Sequence, residues 1–165
     1  MEHGYALSVT WTGDRGEGTR DYRGYGRDHV VRAEPVRGQA PPDLLGSADR
    51  TFHGDPARWN PEQLLLAALA QCHLLSYLHV CVDAGVVVTA YVDRAVGTVR
   101  TDRDGGGQFT EVVLRPEVVV ADASMLDAAA AAHTRAHALC FIARSVAFPV
   151  RHEPVVRVGR ALPPS

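Results

Sequence analysis

The most reactive side chains in the sequence are three thiols, Cys72, Cys81 and Cys140. The chemistry open to them is nucleophilic and redox: a thiolate attacks a peroxide bond, becomes a sulfenic acid and condenses with a second thiol. Taken singly, each also suits the commonest state of free cysteine, a small buried hydrophobe. Their odd number argues against the disulfide framework of a secreted protein. Cys81, nine residues after Cys72 and with no arginine near it in sequence, reads as core. Histidines offer a rival chemistry. His133 and His137 stand four apart with Cys140 three further on, so one helix face could present all three to a transition metal. No HExxH or CxxC spacing accompanies them, and His133 and His137 read more simply as partly exposed polar positions. His73 projects about 100° around a helix from Cys72 and reads as a hydrogen-bonded interface residue rather than a general base. His79 reads as a plain polar position.

The elements that must hold these groups leave clear signals. Tyr5, Leu7, Val9 and Trp11 alternate with Ala6, Ser8 and Thr10, which predicts a half-buried strand. After a glycine-rich, charged turn at 13–19, a second extended segment is expected over 22–34, carrying Arg27, Asp28 and His29. Residues 35–59 contain Pro35, Pro41, Pro42 and Pro56 without periodicity and read as a long loop. Then Asn60 makes a good N-cap, Pro61 suits the first helical position, and Glu62 faces the positive end of the helix dipole. The run that follows has no proline and no glycine before Gly85, so a helix is predicted over 61–84 with Gly85 ending it. It is apolar nearly all round and must be buried on most sides. A chain of 165 residues has few layers to surround it, and a second subunit would supply them.

Further on, β-branched runs over 86–100 and 108–121, joined by the turn 102–107, predict a β-hairpin, with Pro116 marking an edge position or bulge. A second helix is expected from Asp122 or Ser124 through Met125, the alanine run, His133 and His137 to about Cys140 or beyond, with Pro149 stopping it at the latest, and a last strand over Val155–Ala161. The order β-β-α-β-β-α-β is an α+β pattern with an antiparallel sheet, in one domain over 1–165.

Two motifs make the sequence resemble a known family. Asn60-Pro61-Glu62-Gln63-Leu64 is followed by Cys72 ten residues after Glu62, and Cys140 lies in Ala136-His137-Ala138-Leu139-Cys140-Phe141-Ile142-Ala143-Arg144-Ser145-Val146. Both resemble the OsmC/Ohr family of thiol-dependent hydroperoxide reductases, and the elements occur in that family's order over most of the chain. The resemblance implies an OsmC-like α+β fold: an antiparallel β-sheet, a long central buried helix and a second helix, intertwined as a homodimer with composite active sites. It implies reduction of organic hydroperoxides to alcohols in oxidative stress defence, with a dithiol reductant, a lipoyl-type group being one candidate, and no cofactor. By the same resemblance Cys72 is the peroxidatic cysteine, Cys140 the resolving one, Glu62 the carboxylate of the site, and Arg27 in the run YGRDH the arginine that holds the thiolate. The sequence departs from many members in one place, where Phe141 rather than proline follows Cys140.

Physical chemistry bears on each of these roles. A free thiol has a pKa near 8.5 and burial raises it, so a buried nucleophilic cysteine needs a cation, and a guanidinium stays charged. Glu62 could orient that guanidinium through a two-point contact. Within one helix, ten residues separate Glu62 from Cys72 by about 15 Å. Two such helices packed antiparallel about an axis near Ala67 or Ala68 would bring Glu62 of one chain beside Cys72 of the other, and Ala67, Ala68 and Ala70 would permit close approach.

Composition excludes several alternatives. With 17 arginines, no lysine and 19 acidic residues the net charge is −2, which argues against nucleic acid or an anionic membrane as the main partner. The stretch 64–92 is apolar but contains Gln71, His73, Ser76, His79 and Asp83, which are costly in lipid. The opening MEHGYALSVT has neither a basic n-region nor an apolar h-region, so the reducing cytoplasm is the expected setting. A non-catalytic redox sensor or small-ligand-binding protein on the same fold is the alternative function.

Overall fold

Alternating side chains give the first strand its sheet. In the computed structural model, which describes residues 2–159, β1 (Leu7–Trp11), β2 (His29–Ala33) and β3 (Leu44–Gly46) form an antiparallel sheet in that order. Trp11 lies opposite His29, and His29 opposite Gly46. The expected long extended segment shortens to the five residues of β2, because residues 21–25 turn on themselves, with Gly24 donating to the Asp21 carbonyl at 3.0 Å. The expected loop is not structureless: it holds β3 and a 3₁₀ turn at Arg50–Phe52 whose first amides are capped by Asp49. The apolar face of β1 is not half-buried as its pattern suggests. Leu7 and Val9 are each 61% exposed and Trp11 44%.

The chain falls into two compact units that divide between Leu64 and Leu65, inside the first helix and not at a linker. That helix, α1 (Pro61–Asp83), begins and ends on the predicted signals. Asn60 Oδ1 accepts from the Gln63 amide at 2.8 Å while Gln63 Oε1 accepts from the Asn60 amide at 3.2 Å, a reciprocal capping box. At the other end Gly85, with φ at 67°, donates to the Val82 carbonyl and Val86 to the Cys81 carbonyl, the paired bonds of a Schellman stop. By length and apolarity α1 could cross a membrane, but it commits a stripe of Leu69, His73, Tyr77 and Cys81 to the protein interior. Burial is confined to that stripe. On the opposite side Leu75 and Val82 are 65% and 76% exposed, so the helix is not surrounded within one chain.

In the second unit the predicted hairpin appears as two strand pairs. β4 (Val88–Asp93) pairs with β7 (Pro116–Val120), and β5 (Val96–Thr101) with β6 (Gly107–Leu114). The break falls at Arg115–Pro116, where proline has no amide to extend the ladder. Pro116 does not mark an edge: it opens β7, the middle strand of the order β4-β7-β9, at the first position, where its missing donor is tolerated. A 3₁₀ turn at Ala123–Met125, capped by Asp122, leads into α2 (Leu126–Leu139), and Cys140 takes an extended conformation at its end. β8 (Val150–His152) and β9 (Val155–Val158) then join β6 and β7 in parallel, since each returns after a helical crossover. The expected antiparallel pairing holds among β1–β7, with β8 and β9 added as parallel neighbours, and β8 is a strand the sequence pattern did not reveal. Of the predicted last strand, the portion beyond residue 159 lies outside the described residues.

Candidate functional site

Each unit contributes one group of candidate residues. In the second, α1 carries Cys72, half-buried, and the C-terminal end of α2 carries Cys140, 1% exposed. Their side chains are close enough to act on one another, both as free thiols. Burial pushes the Cys140 thiol up to about 11, and the neighbouring Cys72 sulfur pushes in the same direction. Cys140 therefore keeps its proton at neutral pH. Its own sulfur accepts from the Ala143 amide at 3.4 Å, in a 3₁₀ turn (Ala143–Ser145) that follows α2. Cys81 stands apart in the core with Tyr77, Val118 and Ala129, its thiol raised by burial, as a structural side chain would be.

In the first unit, Arg27 and Glu62 line a cleft of about 350 Å³ together with Trp11, Tyr25, His29 and Phe52. The loop carrying Arg27 is fixed by close backbone approach. Gly26 donates to the Gly13 carbonyl at 2.8 Å, and a Cβ on Gly13 would meet the Gly26 oxygen at 2.0 Å. The indole of Trp11 donates to the same Gly26 carbonyl. The guanidinium itself lies over the rings of Tyr22 and Tyr25, at 4.6 and 4.1 Å, and donates to both of their carbonyls. The anticipated two-point contact with Glu62 is not made within the chain. Glu62 instead keeps a buried Oε2 without a hydrogen-bond partner, an atom whose desolvation is uncompensated in a single chain.

The histidines are placed differently from their sequence reading. His133 is fully buried rather than partly exposed, and its Nδ1 lies 3.0 Å from Nε2 of His73. His73 is thus hydrogen-bonded as expected, but to its own chain. His137 is half-buried and His152, on β8, stacks near both. His79 is exposed beside Asp83. Among the described residues no group of three or more histidine, cysteine, aspartate or glutamate side chains is arranged to hold a metal ion. The His73–His133 pairing joins positions sixty residues apart, which no local spacing could signal.

A model of the OsmC-like protein family matches residues 53–154. Among solved structures, an OsmC-like protein of unknown function from Vibrio cholerae is 32% identical, with a TM-score of 0.79 over 93% of this chain and 100% of that one. An organic hydroperoxide resistance protein OsmC from Legionella pneumophila is 18% identical, covering 93% of this chain and 96% of its own at a TM-score of 0.66. One from Elizabethkingia anophelis is 16% identical, covering 96% and 99% at 0.67. The latter two likenesses are of fold. No curated protein matches the sequence. With the family model spanning residues 53–154 and the Vibrio cholerae structure alike along almost its whole length, this chain belongs to the OsmC-like family.

Proposed function

We propose that the protein is a thiol-dependent peroxidase that reduces organic hydroperoxides to alcohols, with Cys72 as the attacking residue and Cys140 as the resolving one. The observation that carries this reading is that two free thiols, one on α1 and one at the end of α2, lie close enough to act on one another. The Cys72 thiolate attacks the distal peroxide oxygen; the O–O bond breaks, alcohol leaves after taking up a proton, and Cys72 becomes a sulfenic acid. The Cys140 sulfur then attacks that sulfur, water leaves, and a disulfide forms. A dithiol reductant restores both thiols, so one hydroperoxide and one dithiol yield one alcohol, one water and one disulfide.

Arg27 and Glu62 complete the site from a second copy of the chain. α1 is unbroken between Glu62 and Cys72, which sets them about 15 Å apart along its axis, too far to meet within one helix. The unpartnered Glu62 oxygen, the exposed Leu75 and Val82 face of α1 and the exposed Leu7 and Val9 face of β1 are the surfaces a partner would cover. Of the three small residues suited to a helix crossing, Ala70 packs on the chain's own core, which leaves Ala67 and Ala68 at the axis. Reduced protein mixed with cumene hydroperoxide and either dithiothreitol or dihydrolipoamide should consume peroxide over many turnovers, and Cys72→Ser should abolish this. A single stoichiometric oxidation that neither dithiol reverses would instead make the protein a redox sensor.

A further inference from the structure

We propose that the buried hydrogen bond between His73 and His133 is a clamp that fixes α1 against α2 and thereby sets the spacing of the Cys72 and Cys140 sulfurs. The proposal rests on the thiol chemistry above and assigns both histidines as positioning residues for disulfide closure. His73 follows Cys72 directly, and His133 lies seven residues, about two turns, before Cys140 on α2. Any slide or rotation of α1 that displaces Cys72 displaces His73 with it. Disulfide geometry tolerates little of this, because the Cα separation must fall between about 4.4 and 6.8 Å to close the bond.

Apolar packing alone fixes that register poorly. Apart from His133, the buried face of α2 consists of Ala129, Ala132 and Ala136, small side chains that give a smooth surface with little to lock a partner helix. Direction comes from the polar and aromatic groups inserted there. The two imidazoles are nearly parallel, at 6°, with Nε2 of His73 and Nδ1 of His133 3.0 Å apart. Tyr77, one turn after His73, lays its ring 4.0 Å from that of His133 and donates its hydroxyl to the Ala129 carbonyl at 3.1 Å. His152 of β8 stacks near both rings, 5.7 Å from His73 and 6.2 Å from His133 between centroids.

The bond also carries a cost that a purely structural contact would not need. Both rings are fully buried, yet Nδ1 of His73 and Nε2 of His133 have no partner. In either neutral tautomer arrangement one of these atoms is a stranded N–H and the other a stranded lone pair. Two leucines would fill similar space without stranding a polar atom, so what the histidines add is direction rather than burial.

The test is the equilibrium of the Cys72–Cys140 disulfide with glutathione, in which the protein dithiol and oxidised glutathione exchange to protein disulfide and two reduced glutathiones. No peroxide enters it. His73→Leu and His133→Leu should lower the equilibrium constant about fivefold to tenfold, the size of one lost buried hydrogen bond. His73→Gln, whose amide reaches the position of Nε2, should restore it to within about threefold, whereas His73→Asn, equally polar but too short, should not. The Gln and Asn pair decides the matter even where a leucine variant fails to fold. Equal constants for wild type, His73→Gln and His73→Asn would overturn the clamp while leaving peroxide turnover as the separate test of the enzyme. A wild type that forms the disulfide readily but consumes no peroxide would overturn the enzyme and leave the clamp standing. A wild type that forms no Cys72–Cys140 disulfide overturns both.

Discussion

A histidine ring sealed from water is held in its neutral form, because taking up a proton would place a charge where nothing compensates it. Burial lowers His73 to about 4 and His133 to about 3, and the neighbouring rings add to the effect: His152 and His137 around the first, His73 and His152 around the second. No carboxylate stands among the groups named, and Tyr77, which stacks on His133, is itself pushed further from ionisation by burial. The consequence for stability has a definite sign. Both folded values lie below the ordinary 6.5, so the unfolded chain takes up protons first as pH falls. The stability these rings permit is complete above pH 6.5 and is lost progressively toward pH 4 and then 3, by about 3 kcal/mol for His73 alone. Urea unfolding followed from neutral to acid pH should show this as a falling midpoint, shallower in His73→Gln, which cannot titrate there. A midpoint that falls equally in both proteins would show that other groups drive the acid loss. The same burial acts on Cys140, held up to about 11, and under the proposed mechanism this keeps it protonated until Cys72 has been oxidised.

At the level of elements, α1 was legible because its ends are written in residues that act locally. Asn60, Gln63 and Gly85 each satisfy backbone groups of the turn beside them, so sequence spacing alone suffices. Asn60→Ala should remove the side-chain acceptor for the Gln63 amide and cost about 1 kcal/mol, equivalent to a fall of about 2–4 °C in Tm for a chain of this size. Thermal melting monitored by circular dichroism measures this directly, and an unchanged Tm would mean that the helix start is held by packing alone. What escaped notice has the opposite character. β3 and β8 are three residues each, too short to show any period, and exist through pairing with β2 and β6. The split of the long hairpin depends on β7 finding a second neighbour in β9, thirty-odd residues later, which turns a proline that reads as an edge signal into the first residue of a central strand. Among the proposed site residues, Cys72, Cys140 and Glu62 stand out in two short motifs. The His73–His133 pair was not, because it arises only when two helices meet.

For the molecule as a whole, three features bear on the proposed second copy: the exposed apolar face of α1, that of β1, and the unpartnered Glu62 carboxylate oxygen. Under the proposed arrangement one cause explains all three, since a second copy that brings its Glu62 to Cys72 also covers those faces. The arrangement has a consequence that no single-chain site shares. Cys72→Ser and Glu62→Ala homodimers each lack one half of every site and should be nearly inactive. Mixed and allowed to exchange subunits, they form heterodimers in which the chain retaining Cys72 faces the chain retaining Glu62, so that one of the two sites is whole. With equimolar chains half the dimers are mixed, and peroxide consumption should recover to about a quarter of the wild-type rate. Exchange itself can be followed by mass spectrometry of the intact dimers, so a failure to mix is not mistaken for a failure to complement. Heterodimers that form in full and stay inactive would place both groups of each site on one chain, and a protein that sediments as a monomer at assay concentration would remove the shared site altogether.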